Sequence, residues 1–202
     1  MLFIFDMGGV VTNTFLPAQL YKKLNITGED FFQLCSQGGE DIWQLFQTGK
    51  INPQKFWSLF NERVAASKEE KYRKVPLVEN DLFRLYFHPS KNLETVELIQ
   101  ALKKKHRLVC GTNTIDSHWE NHMERGDYSI FHQTYASNKM GVMKPDPEFF
   151  RIILESEGYE PQQAFFTDDK LENCNAAASL GINVYHFKSA SGLKAAIKKI
   201  QK

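Results

Sequence analysis

Four apolar residues, Leu2-Phe3-Ile4-Phe5, open the chain and run unbroken into Asp6 and the turn Met7-Gly8-Gly9. So short an apolar run predicts a strand buried on both faces, the kind found at the centre of a parallel sheet. Strand-like runs then vanish until about Arg107, and apolar residues recur at helical spacing instead. Pro17 stands where a helix with Leu20 and Leu24 can begin. Thr27-Gly28-Glu29-Asp30 reads as the start of another, carrying Phe31, Phe32 and Cys35. Residues 40–46 present Ile42, Trp43, Leu45 and Phe46. Asn52-Pro53, a capping residue followed by proline at the first helical position, opens a helix with Phe56, Trp57, Leu59, Phe60 and Val64. Two further helical patterns fall near residues 67–74 and 79–86. Aromatic stripes at this spacing predict that the helical stretch has a small core of its own.

From Asn92 the rhythm becomes helix, strand, helix, strand. Asn92 caps a helix with Val96, Ile99 and Leu102 that ends in Lys103-Lys104-Lys105, where cations suit the helix dipole. Residues 107–111 form the second strand, and Asp116 or Ser117 can cap a short helix through Met123. Residues 134–137 form the third strand, and Pro147 opens a helix with Phe149, Phe150, Ile153 and Leu154. Residues 164–167 form the fourth strand. A helix over 173–180 follows and stops at Gly181, which is suited to the position after a helix end. Residues 183–187 form the fifth strand, and a last helix places Leu193, Ile197 and Ile200 on one face. Strands alternating with helices of this length imply right-handed crossovers and a sheet covered on both sides. The expected architecture is α/β, a doubly wound five-stranded parallel sheet with an inserted α-helical cap. The core domain takes residues 1–13 and 91–202, and the cap residues 14–90.

Composition changes this picture little. The 202 residues carry a formal net charge of +1, which gives no reason to expect nucleic acid as a partner. No apolar run approaches membrane-spanning length, and the start lacks the basic segment of a signal peptide. Three cysteines without Cys-x-x-Cys spacing suggest neither a disulfide framework nor a zinc knuckle, so a cytoplasmic protein is expected.

The chemistry collects at one edge. Asp6 follows the first strand, Thr112-Asn113 the second, Lys144 lies beyond the third, and Asp168-Asp169 follow the fourth. In a parallel sheet these loops open on the same side, so the groups converge. A carboxylate nucleophile, a hydroxyl with backbone amides, a lysine and a carboxylate pair suit phosphoryl transfer, which depends on positioning and charge neutralisation. Asp6 alone also reads as a turn-capping residue, and Lys144 alone as a solvated lysine before a proline turn. Their order along the chain favours chemistry.

The ordered set Phe5-Asp6-Met7-Gly8-Gly9-Val10, Thr112-Asn113, Lys144-Pro145-Asp146-Pro147 and Phe166-Thr167-Asp168-Asp169 with Asn173 resembles the haloacid dehalogenase-like hydrolase superfamily. The resemblance covers essentially the whole chain. Thr112-Asn113-Thr114, His118 and Gly141-Val142-Met143-Lys144-Pro145 look closest to the bacterial branch containing α-glucose-1-phosphatase. It implies a magnesium-dependent phosphatase acting on a small phosphorylated metabolite, with a sugar phosphate as one candidate. It further implies that Asp6 becomes an aspartyl-phosphate and that Mg²⁺ is held by Asp6, the Gly8 carbonyl and Asp169, with Asp168 in support. Thr112 and the Asn113 amide would hold phosphate, and Lys144 would act as a point charge toward phosphate and carboxylates.

One position departs from the pattern. Phosphatases of the superfamily commonly carry a second Asp, a general acid and base, two residues after the nucleophile, where this chain has Gly8. Losing such a group costs on the order of 10²–10⁴-fold in rate. A binding protein with little activity therefore stands as a rival reading, and so does a metal-free dehalogenase using Asp6 against carbon, on which Gly8 is neutral. His118 and His122, four apart on a helix, are a weak zinc pair with no evident third ligand. His118 is also a candidate substitute acid.

Overall fold

A computed structural model describes residues 1–14 and 17–201. The first strand is β1 (Leu2–Phe5), and its side chains alternate between two apolar layers. Phe3 and Phe5 face one cluster with Ile99, Leu193 and Ile197. Leu2 and Ile4 face the other, with Phe149, Phe150, Ile153 and Ala177. This period of two is what a doubly covered strand requires.

The helical insert follows. It comprises α1 (Ala18–Leu24), α2 (Gly28–Ser36), α3 (Ile42–Gln47), α4 (Pro53–Ala66) and α5 (Leu82–Tyr86). Every start but that of α1 has a side-chain cap. Thr27 and Asp30 form a reciprocal capping box on α2, Asp41 caps α3, and Asn52 accepts from the Lys55 amide at the head of α4. Phe31, Phe46, Phe56, Phe60, Trp57 and Phe83 share one aromatic core, separate from those of the sheet.

Two expected helices in the insert are shorter than the pattern suggested. Ser67 ends α4 in an extended conformation, and residues Glu70–Lys74 form only a 3-10 turn pinned by buried Tyr72. Helix α5 waits for Asp81, whose carboxylate caps Phe83 and Arg84.

The remaining elements alternate as expected. Helix α6 (Leu93–Lys103) leads to β2 (Arg107–Thr112), α7 (Asp116–Glu124), β3 (Gln133–Ala136), α8 (Ser137–Met140) and α9 (Pro147–Glu157). Then come β4 (Ala164–Asp168), α10 (Leu171–Ser179), β5 (Asn183–His186) and α11 (Ala190–Ile200). All pairings are parallel, in the order β3-β2-β1-β4-β5, so β1 is central.

The strands match expectation to within one residue at each end, and three differences stand out. Ser137 leaves β3 because its hydroxyl accepts from the Thr114 amide at 2.9 Å and donates to the Thr114 carbonyl at 3.1 Å. Neither Asp116 nor Ser117 caps α7. Ile115 holds that position, while Asp116 accepts from Asn138 and Lys139, each at 2.7 Å. Helix α10 begins two residues early, at Leu171. It does end as expected: the Gly181 and Ile182 amides return to Ala178 and Ala177. No helix among the described residues is long and apolar enough to cross a membrane.

The insert meets the sheet domain at backbone distance. Gly49 has a φ of +66°, and a Cβ there would lie 2.0 Å from the Asn138 carbonyl. Gly158 has a similar φ of +68° with open space around it. Gly158→Ala should therefore show only the backbone strain, about 1–3 kcal/mol. Gly49→Ala should lose more, because the insert must also move off Asn138. Urea unfolding of the two variants side by side measures the difference.

Candidate active site

The carboxyl ends of β1, β2 and β4 bring Asp6, Thr112 and Asp168 to adjacent positions, because these three strands are neighbours in register. Lys144 reaches them from the loop after α8. It is 2% exposed, and its ammonium donates to Asp6 Oδ1 at 2.9 Å, Asp168 Oδ2 at 2.7 Å and the Gly111 carbonyl at 2.8 Å. All three of its protons are thus engaged by protein acceptors. Lys144 acts on the carboxylates directly, and toward a phosphate it can act only through its field.

The Asn113 side chain does something the sequence reading did not assign to it. Its Oδ1 accepts from the Lys144 amide at 2.9 Å, and its Nδ2 donates to the Lys144 carbonyl at 2.7 Å. This two-point clamp fixes the main chain that delivers the ammonium. Thr112, buried at the end of β2, makes only a long contact of 3.4 Å from its hydroxyl to the Asn113 carbonyl.

Asp168 is fully buried and accepts three hydrogen bonds. Its Oδ2 accepts from Lys144 and, at 2.9 Å, from Asn173, while Oδ1 accepts from the Lys170 amide at 2.8 Å. Asp169 is half-buried, and its carbonyl accepts from His186 Nε2 at 2.9 Å. Its carboxylate crosses the face of Gly9, where a Cβ would come within 2.3 Å of Oδ2. Gly9, with φ +81°, is therefore the glycine that the turn requires. Gly8 is exposed, has no left-handed backbone angle, and leaves open space where a Cβ would stand. The backbone angle that a side chain tolerates poorly is thus at Gly9 and not at Gly8.

Charge is unbalanced here. Burial pushes the Asp6 carboxyl up to about 7, and Asp168 and Asp169 add to this against the pull of Lys144. Burial and Asp168 likewise raise Asp169. Burial alone would lower Lys144, but Asp6 and Asp168 outweigh it and hold the ammonium charged. Three carboxylates thus face one cation. Oxygens of Asp6, Asp168 and Asp169 lie within 4.8 Å of one another, and this is a donor set for a hard divalent ion such as Mg²⁺. Asp168 already accepts three hydrogen bonds, so Asp6 and Asp169 have more capacity left to bind it.

The histidine pair does not contribute to this edge. His118 stacks on Phe87 with ring centroids 3.7 Å apart, and burial lowers its pKa to about 3, which disfavours the imidazolium that a general acid needs. His122 Nδ1 is 2.8 Å from Asp127 Oδ2. Among the described residues, the metal-binding geometry is met by Asp6, Asp168 and Asp169 and not by these histidines.

Comparison with known proteins bears on the family and the fold. Residues 1–181 match the haloacid dehalogenase-like hydrolase family. The crystal structure of a HAD family enzyme from Bacteroides thetaiotaomicron superposes with a TM-score of 0.72 at 26% identity, covering 92% of each chain. A magnesium complex of that enzyme superposes at 0.69, with the same identity and coverage. A sesquiterpene phosphatase of Aspergillus oryzae is 26% identical over 91% of this chain and 88% of its own length. A drimenol cyclase of Aspergillus calidoustus is 23% identical over 92% of this chain, which spans only 34% of that protein. The match over residues 1–181, on a sheet that gathers these carboxylates at one edge, places the chain in the haloacid dehalogenase-like hydrolase family.

Proposed function

We propose that this protein is a magnesium-dependent phosphatase that hydrolyses a small phosphorylated metabolite through an aspartyl-phosphate on Asp6. The observation that carries the reading is the buried Lys144 ammonium shared by Asp6 and Asp168, beside a third carboxylate, Asp169. A metal-free dehalogenase attacking carbon has no use for that carboxylate excess, whereas a divalent cation that offsets phosphate charge does. The Bacteroides relative, described in complex with magnesium and inorganic phosphate, supports the same reading. A sugar phosphate is the substrate class suggested by the branch that the motifs resemble. The three cysteines are free and buried, which fits the reducing cytoplasm.

In this mechanism Lys144 binds Asp6 Oδ1 and fixes the plane of the carboxylate, and the second oxygen attacks phosphorus. The bond from phosphorus to the leaving oxygen breaks, and the phosphoryl group passes to Asp6. Mg²⁺, held by Asp6, the Gly8 carbonyl and Asp169 with Asp168 in support, would neutralise charge on the phosphoryl oxygens. The Thr112 hydroxyl and Asn113 amide would hold those oxygens in place. Water then attacks phosphorus, releases phosphate and regenerates Asp6. Lys144 and Asn173 keep Asp168 from competing for the incoming group.

Three outcomes test this. Asp6→Asn should lower turnover by on the order of 10⁴-fold or more while circular dichroism stays native; full phosphate release by this variant would remove the mechanism. Chelation should abolish activity, and Asp169→Ala should weaken Mg²⁺ binding by about 10–100-fold in a calorimetric titration, the range seen even for outer-shell groups. Activity that survives exhaustive chelation would favour the dehalogenase reading.

The third concerns the leaving group. With Gly8 offering no proton and His118 buried and neutral, aryl and anomeric phosphates should be cleaved well and alkyl phosphates poorly. Space and ordinary backbone angles at Gly8 make Gly8→Asp a feasible variant. It should raise alkyl phosphate turnover by up to ~10²-fold, the lower end of general-acid effects. Steady-state rates across a leaving-group series decide the point, and an unchanged series in a folded, metal-binding Gly8→Asp protein would show that protonation is not limiting.

A further inference from the structure

The two chain segments that join the helical insert to the sheet domain pair with each other. Thr12 bridges to Lys91, and the Asn13 amide donates to the Ser90 carbonyl at 2.9 Å. The Ser90 amide donates to Asn13 Oδ1 at 2.8 Å, and the Asn92 amide to the Val11 carbonyl at 2.8 Å. Whatever holds the returning segment therefore holds both. What holds it is one short unit, α7 with the 3-10 turn Asp127–Ile130 that follows.

Asp127 is the centre of that unit. Its side chain is wholly buried, yet three basic side chains converge on it: Lys91 Nζ at 2.9 Å, His122 Nδ1 at 2.8 Å and Arg125 Nε at 3.1 Å. Arg125 also donates to the Pro89 carbonyl at 2.7 Å. Asn121 donates to the Arg84 and Phe87 carbonyls at 3.0 and 3.3 Å, and the Phe87 ring stacks on His118. At its other end α7 grows out of the loop that carries Thr112 and Asn113. Ile115 of that loop is buried in the aromatic core of the insert. One rigid unit thus touches the proposed phosphate loop, the insert's core and the returning linker.

We propose that Asp127 is a positioning residue: by fixing residues 89–91 it sets where the helical cap stands over the catalytic edge, and so governs affinity for substrates that reach the cap. It rests on the phosphatase reading only for its kinetic readout. Asp127 touches none of Asp6, Lys144, Asp168 or Asp169, so its effect runs through placement. A carboxylate buried under three basic groups is costly unless all remain paired, which gives the linker one preferred seat.

The test is Asp127→Asn, which keeps the shape and removes the charge that Lys91 and Arg125 share. Hydrogen exchange should accelerate about tenfold or more at the Asn13, Ser90 and Asn92 amides, with β1 and β4 unchanged. For p-nitrophenyl phosphate, KM should rise by about tenfold with kcat nearly constant, while acetyl phosphate, too small to reach the cap, changes by less than about twofold. A merely structural ion pair would lower both substrates in the same proportion, and that outcome overturns the proposal, as does unchanged exchange at the linker. Should Asp127→Asn fail to fold, Lys91→Met removes one arm from the half-exposed side and should give the same pattern, smaller in size. If the wild-type protein hydrolyses neither ester, the phosphatase reading falls, and the exchange measurement alone decides whether Asp127 seats the linker.

Discussion

A single buried ammonium organises this protein. Lys144 Nζ sits among acceptors from three neighbouring strands: Asp6 after β1, the Gly111 carbonyl of β2 and Asp168 at the end of β4. Taking a lysine out of water is expensive, and breaking such a group by removing one partner typically costs about 3–5 kcal/mol. The same ammonium holds together two carboxylates that would otherwise repel. Without it Asp6, Asp168 and Asp169 could not share one small volume in an apolar setting. The ring of Phe166, 5.3 Å from the ammonium, and that of Phe149 at 5.9 Å add a favourable face on the core side. The Asn113 clamp then removes the freedom that a long side chain on a loop would bring.

Much of this was legible in the chain because it rests on patterns that repeat. The unbroken run before Asp6 predicts a central strand, and β1 is the central strand, with Phe3 and Phe5 on one layer and Leu2 and Ile4 on the other. Asn52-Pro53 and Gly181 mark helix ends by local chemistry, and they do so in the structure. Spacing does not encode long-range partners. Ser137 looks like one more strand residue until its hydroxyl is seen tied to Thr114, 23 positions away. Asp116 looks like a helix cap until Asn138 and Lys139 take its carboxylate. The phosphate role expected of Asn113 rests on its backbone amide, and only the fold shows that its side-chain amide clamps Lys144. Gly8 and Gly9 are equivalent as letters. The approach of Asp169 to Gly9 alone separates the obligatory glycine from the permissive one.

The remaining question is how one edge can keep its electrostatics constant while a helical insert above it sets what fits. The carboxylates answer to the sheet, at or just beyond strand ends whose register is fixed by parallel pairing, and the loop after α8, clamped by Asn113, brings Lys144 to them. The insert answers to α7. That helix carries the Thr112–Ile115 loop at its start, and Ile115 enters the insert's own aromatic core. At its far end Asp127 and Arg125 hold the linker by which the chain returns to the sheet. Displacing the insert would pull Ile115 from an apolar cluster and separate Lys91 from a buried carboxylate, two losses that act at opposite ends of one helix. The fold therefore separates two tasks. Charge is balanced within the sheet edge, where strand pairing leaves little room for error, and position is set by a single helix that connects the proposed phosphate loop to the cap. On the proposed reading, a change at Asp127 would alter how a substrate sits without altering the groups proposed to act on phosphorus.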